Sequence, residues 1–143
     1  MRRIEIKENL EIPTERLWSL FVDLDNYPKY FKYVHKIFHK GKMKLGSNWY
    51  DLASFIVPVI VKHTTTVFEK ERKIGFDIKI PVRGYVKERV EFTKMGSKTK
   101  INGTIVFDFG NPLFSFLFDG LFEKRMRESI QGAITKVNKE ING

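Results

Sequence analysis

The chain has 143 residues, enough for one domain with a sizeable core and too few for two cores of ordinary size. It contains no cysteine, which excludes disulfides, thiolate nucleophiles and Cys-ligated metal centres. Its 26 Lys and Arg against 17 Asp and Glu give a net charge of +9, which serves solubility and also favours anionic partners.

The first residues alternate: Ile4, Ile6, Leu10 and Ile12 against Glu5 and Lys7, the period of a half-buried strand that Pro13 ends. From Thr14 the period becomes helical. Leu17, Phe21 and Leu24 share a face with Trp18 beside them, predicting a helix over residues 14–24 with Pro13 and Glu15 suited to its start. Asp25 or Asn26 can cap a second, short helix with Pro28 in its first turn, carrying Tyr27, Tyr30, Phe31 and Tyr33.

Strands follow: YVHKIFHK to a Gly41 turn, NWYDLASF after Gly46, the β-branched VPVIVKHTTTVFEK, and KIGFDIKI with Ile74, Phe76, Ile78 and Ile80 in alternation. GYVKERVEFT and KTKINGTIVFDF flank a Gly/Ser turn and predict a hairpin. Beyond GNP, Met126, Ile130, Ala133, Ile134, Val137 and Ile141 recur at the spacing of one long amphipathic helix, with Gly120 and Gly132 as the places for a bend. The prediction is an α+β layer fold in a single domain over residues 1–143: about seven mostly antiparallel strands, two short helices after the first, and a long closing helix. No segment approaches the ~20 apolar residues that span a bilayer and none reads as a secretory signal, so a soluble, cytoplasmic protein is expected.

This order, with Pro13, Trp18, Asp23, Tyr27 and Pro28 in IPTERLWSLFVDLDNYPKYFKYV, resembles the START/Bet v 1-like (SRPBCC, polyketide cyclase/dehydrase and lipid transport) superfamily. The segment VFDFGNPLFSFLFDGLFEKRMRESIQGAITKV is similar to the end of its coenzyme-Q-binding and ribosome-associated-toxin branch. The resemblance implies a helix-grip fold, whose curved sheet wraps the long helix around a cavity for an apolar small molecule such as a lipid, isoprenoid quinone or polyketide-like compound. The chain departs from the family in being unusually Lys-rich.

Strand phase nominates the polar residues of such a cavity. Glu88 shares a face with Val86, Val90 and Phe92; His63 and Thr65 share one with Val59, Val61 and Val67; Asp51 follows Trp49, Ala53 and Phe55. A desolvated carboxyl would have a raised pKa or a partner. Glu88 and His63 are therefore candidates either for anchoring a ligand's polar group or for the acid–base work of a cyclase or dehydratase. A register bulge would instead turn them to solvent, and a paired His and Glu would be structural. Trp18, Tyr27, Tyr30, Phe31, Trp49, Phe76, Phe107, Phe118, Phe122, Met126 and Ile130 complete the candidate ligand-binding set. The four Phe and three Leu of LFSFLFDGLF exceed one buried face, so some must line a cavity, cover its mouth or meet a partner.

His35, His39 and His63 are scattered, without the pattern of a metal site, and no cofactor is expected. Catalytic signatures such as G-x-S-x-G, H-E-x-x-H or a phosphate loop are absent, which leans against an enzyme. Between Pro28 and Tyr50 lysines accumulate with no acidic residue. Beside the tyrosines this suits RNA or ribosome association by charge and stacking; as a basic rim it suits an anionic membrane surface.

Overall fold

The computed structural model describes residues 2–81 and 83–142. Its elements in chain order are β1 (Arg2–Leu10), α1 (Thr14–Val22), a 3₁₀ turn (Leu24–Asn26), α2 (Tyr27–Tyr30), β2 (Val34–Phe38), β3 (Asn48–Ala53), β4 (Val59–Glu69), β5 (Lys73–Lys79), β6 (Tyr85–Met95), β7 (Lys98–Asp108) and α3 (Pro112–Asn142). The strands form one seven-stranded antiparallel sheet in the order β1-β7-β6-β5-β4-β3-β2. This is the α+β helix-grip arrangement, with the long helix lying over the curved sheet.

The β6–β7 hairpin turns on Gly96 and Ser97, with Gly96 at φ 64, the positive value a two-residue turn needs at its first position. Curvature has a local cause in β4, where the register shifts between Thr65 and Val67. An inserted residue bends a strand and raises its twist. The bulge also corrects the phase expected for Val67. Thr65 pairs with Phe76, whereas Val67 pairs with Gly75 on the outer face and Phe68 takes the inner one, against the Trp18 ring at 5.3 Å. Because the shift lies beyond His63 and Thr65, both stay inward and buried.

Helix α1 ends two residues earlier than its apolar spacing suggests. Asp23 leaves helical geometry (φ −88°, ψ 87°), and the Tyr27 hydroxyl donates to the Phe21 carbonyl, supplying from α2 a partner that another helical turn would have provided. Helix α2 is shorter than expected too: Phe31 is extended at ψ 112°, so Phe31 and Tyr33 lie outside it. At the start of α3 the Asn111 side chain accepts from the backbone N–H groups of Leu113 and Phe114, at 2.9 and 3.1 Å, with Pro112 in the first turn. The helix then runs 31 residues, about 46 Å, without a break at Gly120 or Gly132. Its buried residues Phe122, Met126, Ser129, Ala133 and Val137 face the sheet. Among the described residues no helix is long and apolar enough to cross a membrane.

Candidate functional site: a cavity between sheet and helix

Protein interiors are close-packed, and voids larger than a water molecule are few. Here a cavity of about 300 Å³ separates the concave face of the sheet from α3. Its walls are overwhelmingly apolar: Val61, Ile78, Val86 and Ile105 from the strands, Met126, Ala133 and Val137 from α3, and Phe21, Tyr27 and Phe31 from the segment between β1 and β2. That volume sits at the low end of the range for small-molecule sites.

The polar groups are concentrated on the sheet wall, and register explains their meeting. Trp49 pairs with His63 across β3 and β4, so the indole stacks on the imidazole with centroids 3.8 Å apart and planes 15° from parallel. Asp51, two residues along β3, lies diagonally across from His63, with Oδ2 3.4 Å from Nε2. Phe76 pairs with Glu88 on the neighbouring strands and sets its ring edge-on against Trp49. The Tyr27 ring also meets Trp49 edge-on.

Burial decides the charge of this group. Asp51 and His63 are 4% and 5% exposed. Removal from water pushes Asp51 up to about 7, with Glu88 adding a second upward push, and burial raises Glu88 to about 7. Burial lowers His63 to about 3 despite the nearby carboxyl, so the imidazole is neutral at neutral pH. Tyr27 is raised by the same desolvation and by both acids. Glu88 keeps some accessible surface, and that surface faces the cavity, whose lining includes it. Among the described residues, four of the six buried polar side-chain atoms without a hydrogen-bond partner belong to residues that line the cavity: Trp49 Nε1, Asp51 Oδ1 and His63 Nδ1 on the sheet side, and Ser129 Oγ on the helix. Such atoms cost stability unless something else meets them.

Of the residues nominated from sequence, Tyr27, Tyr30, Phe31, Trp49, Asp51, His63, Glu88, Val90, Phe122, Met126 and Ile130 line this cavity. Five others lie behind its wall. Trp18 packs on Phe68 and Phe92; Thr65 bonds Ser47 at 3.1 Å; Phe76 supports the Trp49 and His63 rings; Phe107 packs against Phe109 and Phe122; Phe118 packs at a tilt against Phe114. Trp18, Thr65, Phe76 and Phe107 are buried and Phe118 is half-buried, and none of the five lines the void.

The aromatic rings of α2 and the Phe-rich start of α3 lie toward opposite ends of the long helix. Tyr30 donates to Glu140 near the far end of α3, 23 residues and about 35 Å from Leu117. The other two histidines are elsewhere: His35 bonds Ser54, and His39 pairs with Asp25 at 2.7 Å, which raises its pKa. Among the described residues no three His, Asp or Glu side chains are grouped as a metal ion requires.

Sequence phase passed over Ser129, Phe109 and Phe114. Ser129 was findable as a polar residue set three after Met126 and four before Ala133 on the apolar stripe of α3. Phe109 continues the Ile105, Phe107 alternation one step beyond β7. Phe114 had no signal separating it from its exposed neighbours.

Solved structures share the fold at low identity. A Thermus thermophilus protein, TTHA0849, aligns with TM-score 0.74 at 17% identity over 99% of this chain and 100% of its own. The Zhui aromatase/cyclase from a Streptomyces species aligns with TM-score 0.79 at 10% identity over 99% and 96%. A START superfamily protein from Mycobacterium smegmatis gives 0.74 at 9% over 94% and 98%. No curated protein matches the chain significantly in sequence. The family described as "Polyketide cyclase / dehydrase and lipid transport" matches residues 1–142, and the chain belongs to that family.

Proposed function

We propose that the protein binds a neutral, mainly apolar small molecule whose hydroxyl or carbonyl group meets Trp49, Asp51, His63 and Glu88. The observation that carries this reading is the group of polar side chains, Trp49, Asp51, His63 and Glu88, gathered among the lining residues of a cavity otherwise walled by hydrocarbon. The indole N–H and the protonated carboxyls are donors suited to a carbonyl or hydroxyl oxygen, with Ser129 as a further donor opposite. A carboxylate ligand would meet two acids and no buried cation, because the cavity's Arg89 is exposed. The family description, which pairs polyketide chemistry with lipid transport, supports an apolar ligand.

Titration with the neutral fluorophore Nile red, competed by 1-naphthol and by its anionic counterpart 1-naphthoate, tests this. Saturable one-to-one binding is expected, with naphthol competing at least about tenfold better than naphthoate. Ala133→Phe, which pushes a ring into the void from α3, should abolish binding while leaving the circular dichroism spectrum intact. Equal competition by the two naphthalenes, or undiminished binding to a folded Ala133→Phe, would overturn the reading.

Catalysis is the second reading, favoured by the 3.4 Å approach of Asp51 to a neutral His63. A carboxyl that holds its proton near neutrality beside an unprotonated imidazole can give a proton to a ligand carbonyl and take one back. It requires turnover of a carbonyl compound that Asp51→Asn abolishes without lowering affinity for naphthol.

A further inference from the structure

The start of α3 carries more exposed hydrocarbon than a solvated helix needs. Leu113, Phe116 and Leu117 are 69%, 85% and 56% exposed on adjacent positions of its first turns. Their neighbours on the inner side, Phe114 and Phe122, line the cavity, so the exposed face and the void are separated by one helix. Two other segments reach the same place. The β3–β4 connection brings Phe55 and Ile56 into the cavity lining and leaves Val57 57% exposed, and the β5–β6 connection contributes Ile80 and an exposed Pro81.

Close packing fixes these segments together. A Cβ on Gly110 would lie 2.8 Å from the Arg83 carbonyl oxygen, and Arg125 of α3 donates to the Phe55 carbonyl at 2.8 Å. Single exposed apolar residues are ordinary, but a group from three segments that also line one end of the cavity marks an interaction surface.

The exposed charges around this group are positive, while the acids Asp108 and Asp119 on the same segments are half-buried. Arg83 and Lys124 are exposed, and Arg125 is held at the rim by the Phe55 carbonyl. Glu123 is engaged by Arg2 at 3.5 Å and Arg127 at 3.9 Å. A second copy of the chain would bring like charges together around a four-residue contact, well short of the roughly 800 Å² per partner that stable dimers bury. Shallow insertion into a lipid surface needs only exposed apolar side chains and a cationic surround.

We propose that the Leu113, Phe116, Leu117 and Val57 face docks this end of the cavity on an anionic lipid membrane, with the apolar side chains in the acyl region and Arg83, Lys124 and Arg125 at the headgroups. This places the exchange of an apolar ligand at the lipid surface, and in that respect rests on the cavity's binding role. It also puts the membrane contact on the start of α3 rather than on the lysines between Pro28 and Tyr50.

The test is flotation with phosphatidylcholine vesicles, with and without phosphatidylglycerol, together with the emission of Phe116→Trp. The wild-type chain should float with the anionic vesicles and release as salt rises, and the introduced indole should shift to shorter wavelength on binding. The double variant Phe116→Ser, Leu117→Ser should bind at least about tenfold more weakly. Met95→Ser, an exposed apolar site on the β6–β7 turn, should bind as wild type. Loss of vesicle binding with unchanged Nile red affinity would support the docking surface independently of the cavity. No binding to either vesicle, binding undiminished in the double variant, or a wild-type dimer that the double variant dissociates without any vesicle affinity would overturn it.

Discussion

At Glu88 the energetic interest lies in the direction of titration. Its folded-state pKa is raised from 4.5 to about 7, as is that of Asp51 from 3.8 to about 7. The native state therefore keeps protons that the unfolded chain releases, and the stability these acids contribute is full below their unfolded values and declines as pH rises through 7. His63 acts oppositely: lowered from 6.5 to about 3, its contribution is full above 6.5 and is lost as pH falls toward 3. Above about pH 6.5 the two acids and His39, which Asp25 raises, all lose stabilising protonation, so wild-type stability should fall toward about pH 8. Glu88→Gln removes one of those acids and should be more stable than wild type near pH 8 by about 1 to 3 kcal/mol, with the difference shrinking toward about pH 4. Urea unfolding across that range measures it; a stability gap independent of pH would count against a buried, protonated Glu88. Alternation alone put Glu88 and His63 on the inner face. What it lacked was depth: Thr65 and Phe76 have the same phase as the cavity residues yet do not line the void, which only packing determines.

Among the elements, the junction between the β5–β6 connection and the end of β7 carries the sharpest constraint. Gly84 has φ 131, and a Cβ there would stand 2.1 Å from the Asp108 carbonyl oxygen. Gly84→Ala should therefore destabilise by at least about 2 kcal/mol, since neither the backbone angle nor the contact can be relieved locally. Thermal unfolding checks it, and a melting temperature equal to wild type would contradict the close approach. Asn111→Ala removes the acceptor for two N–H groups at the start of α3 and should cost about 1 kcal/mol, read as a lower urea midpoint. Helix starts were legible in sequence because Pro13, Pro28 and the Asn-Pro before α3 act locally. The ends of α1 and α2 were not. A tyrosine hydroxyl from the next helix stops the first, and the turn of Phe31 into extended geometry stops the second. The β4 bulge was equally hidden, since Thr-rich sequence reads as unbroken strand.

Across the whole molecule, the fold spends hydrocarbon on enclosing space rather than filling it. Seven strands and a 31-residue helix are held apart, at one end by Tyr30 and Lys29 bonded to Glu140, and toward the other by Arg125 bonded to the Phe55 carbonyl. Large inward side chains such as Phe107 and Trp49 support the walls, while Ala133 and Gly103 leave the centre empty. The architecture was legible from periodicity and from the family resemblance. The cavity's extent was not, because its volume depends on how far the bulged sheet curves away from α3. The most direct measurement of the central claim is a methyl-labelled NMR titration with 1-naphthol. Methyl resonances of Val61, Ile105, Ile130 and Ala133 are expected to shift in saturable fashion while the outer-face Ile60 methyls stay fixed; shifts confined to the surface, or none at saturating naphthol, would contradict binding inside the cavity.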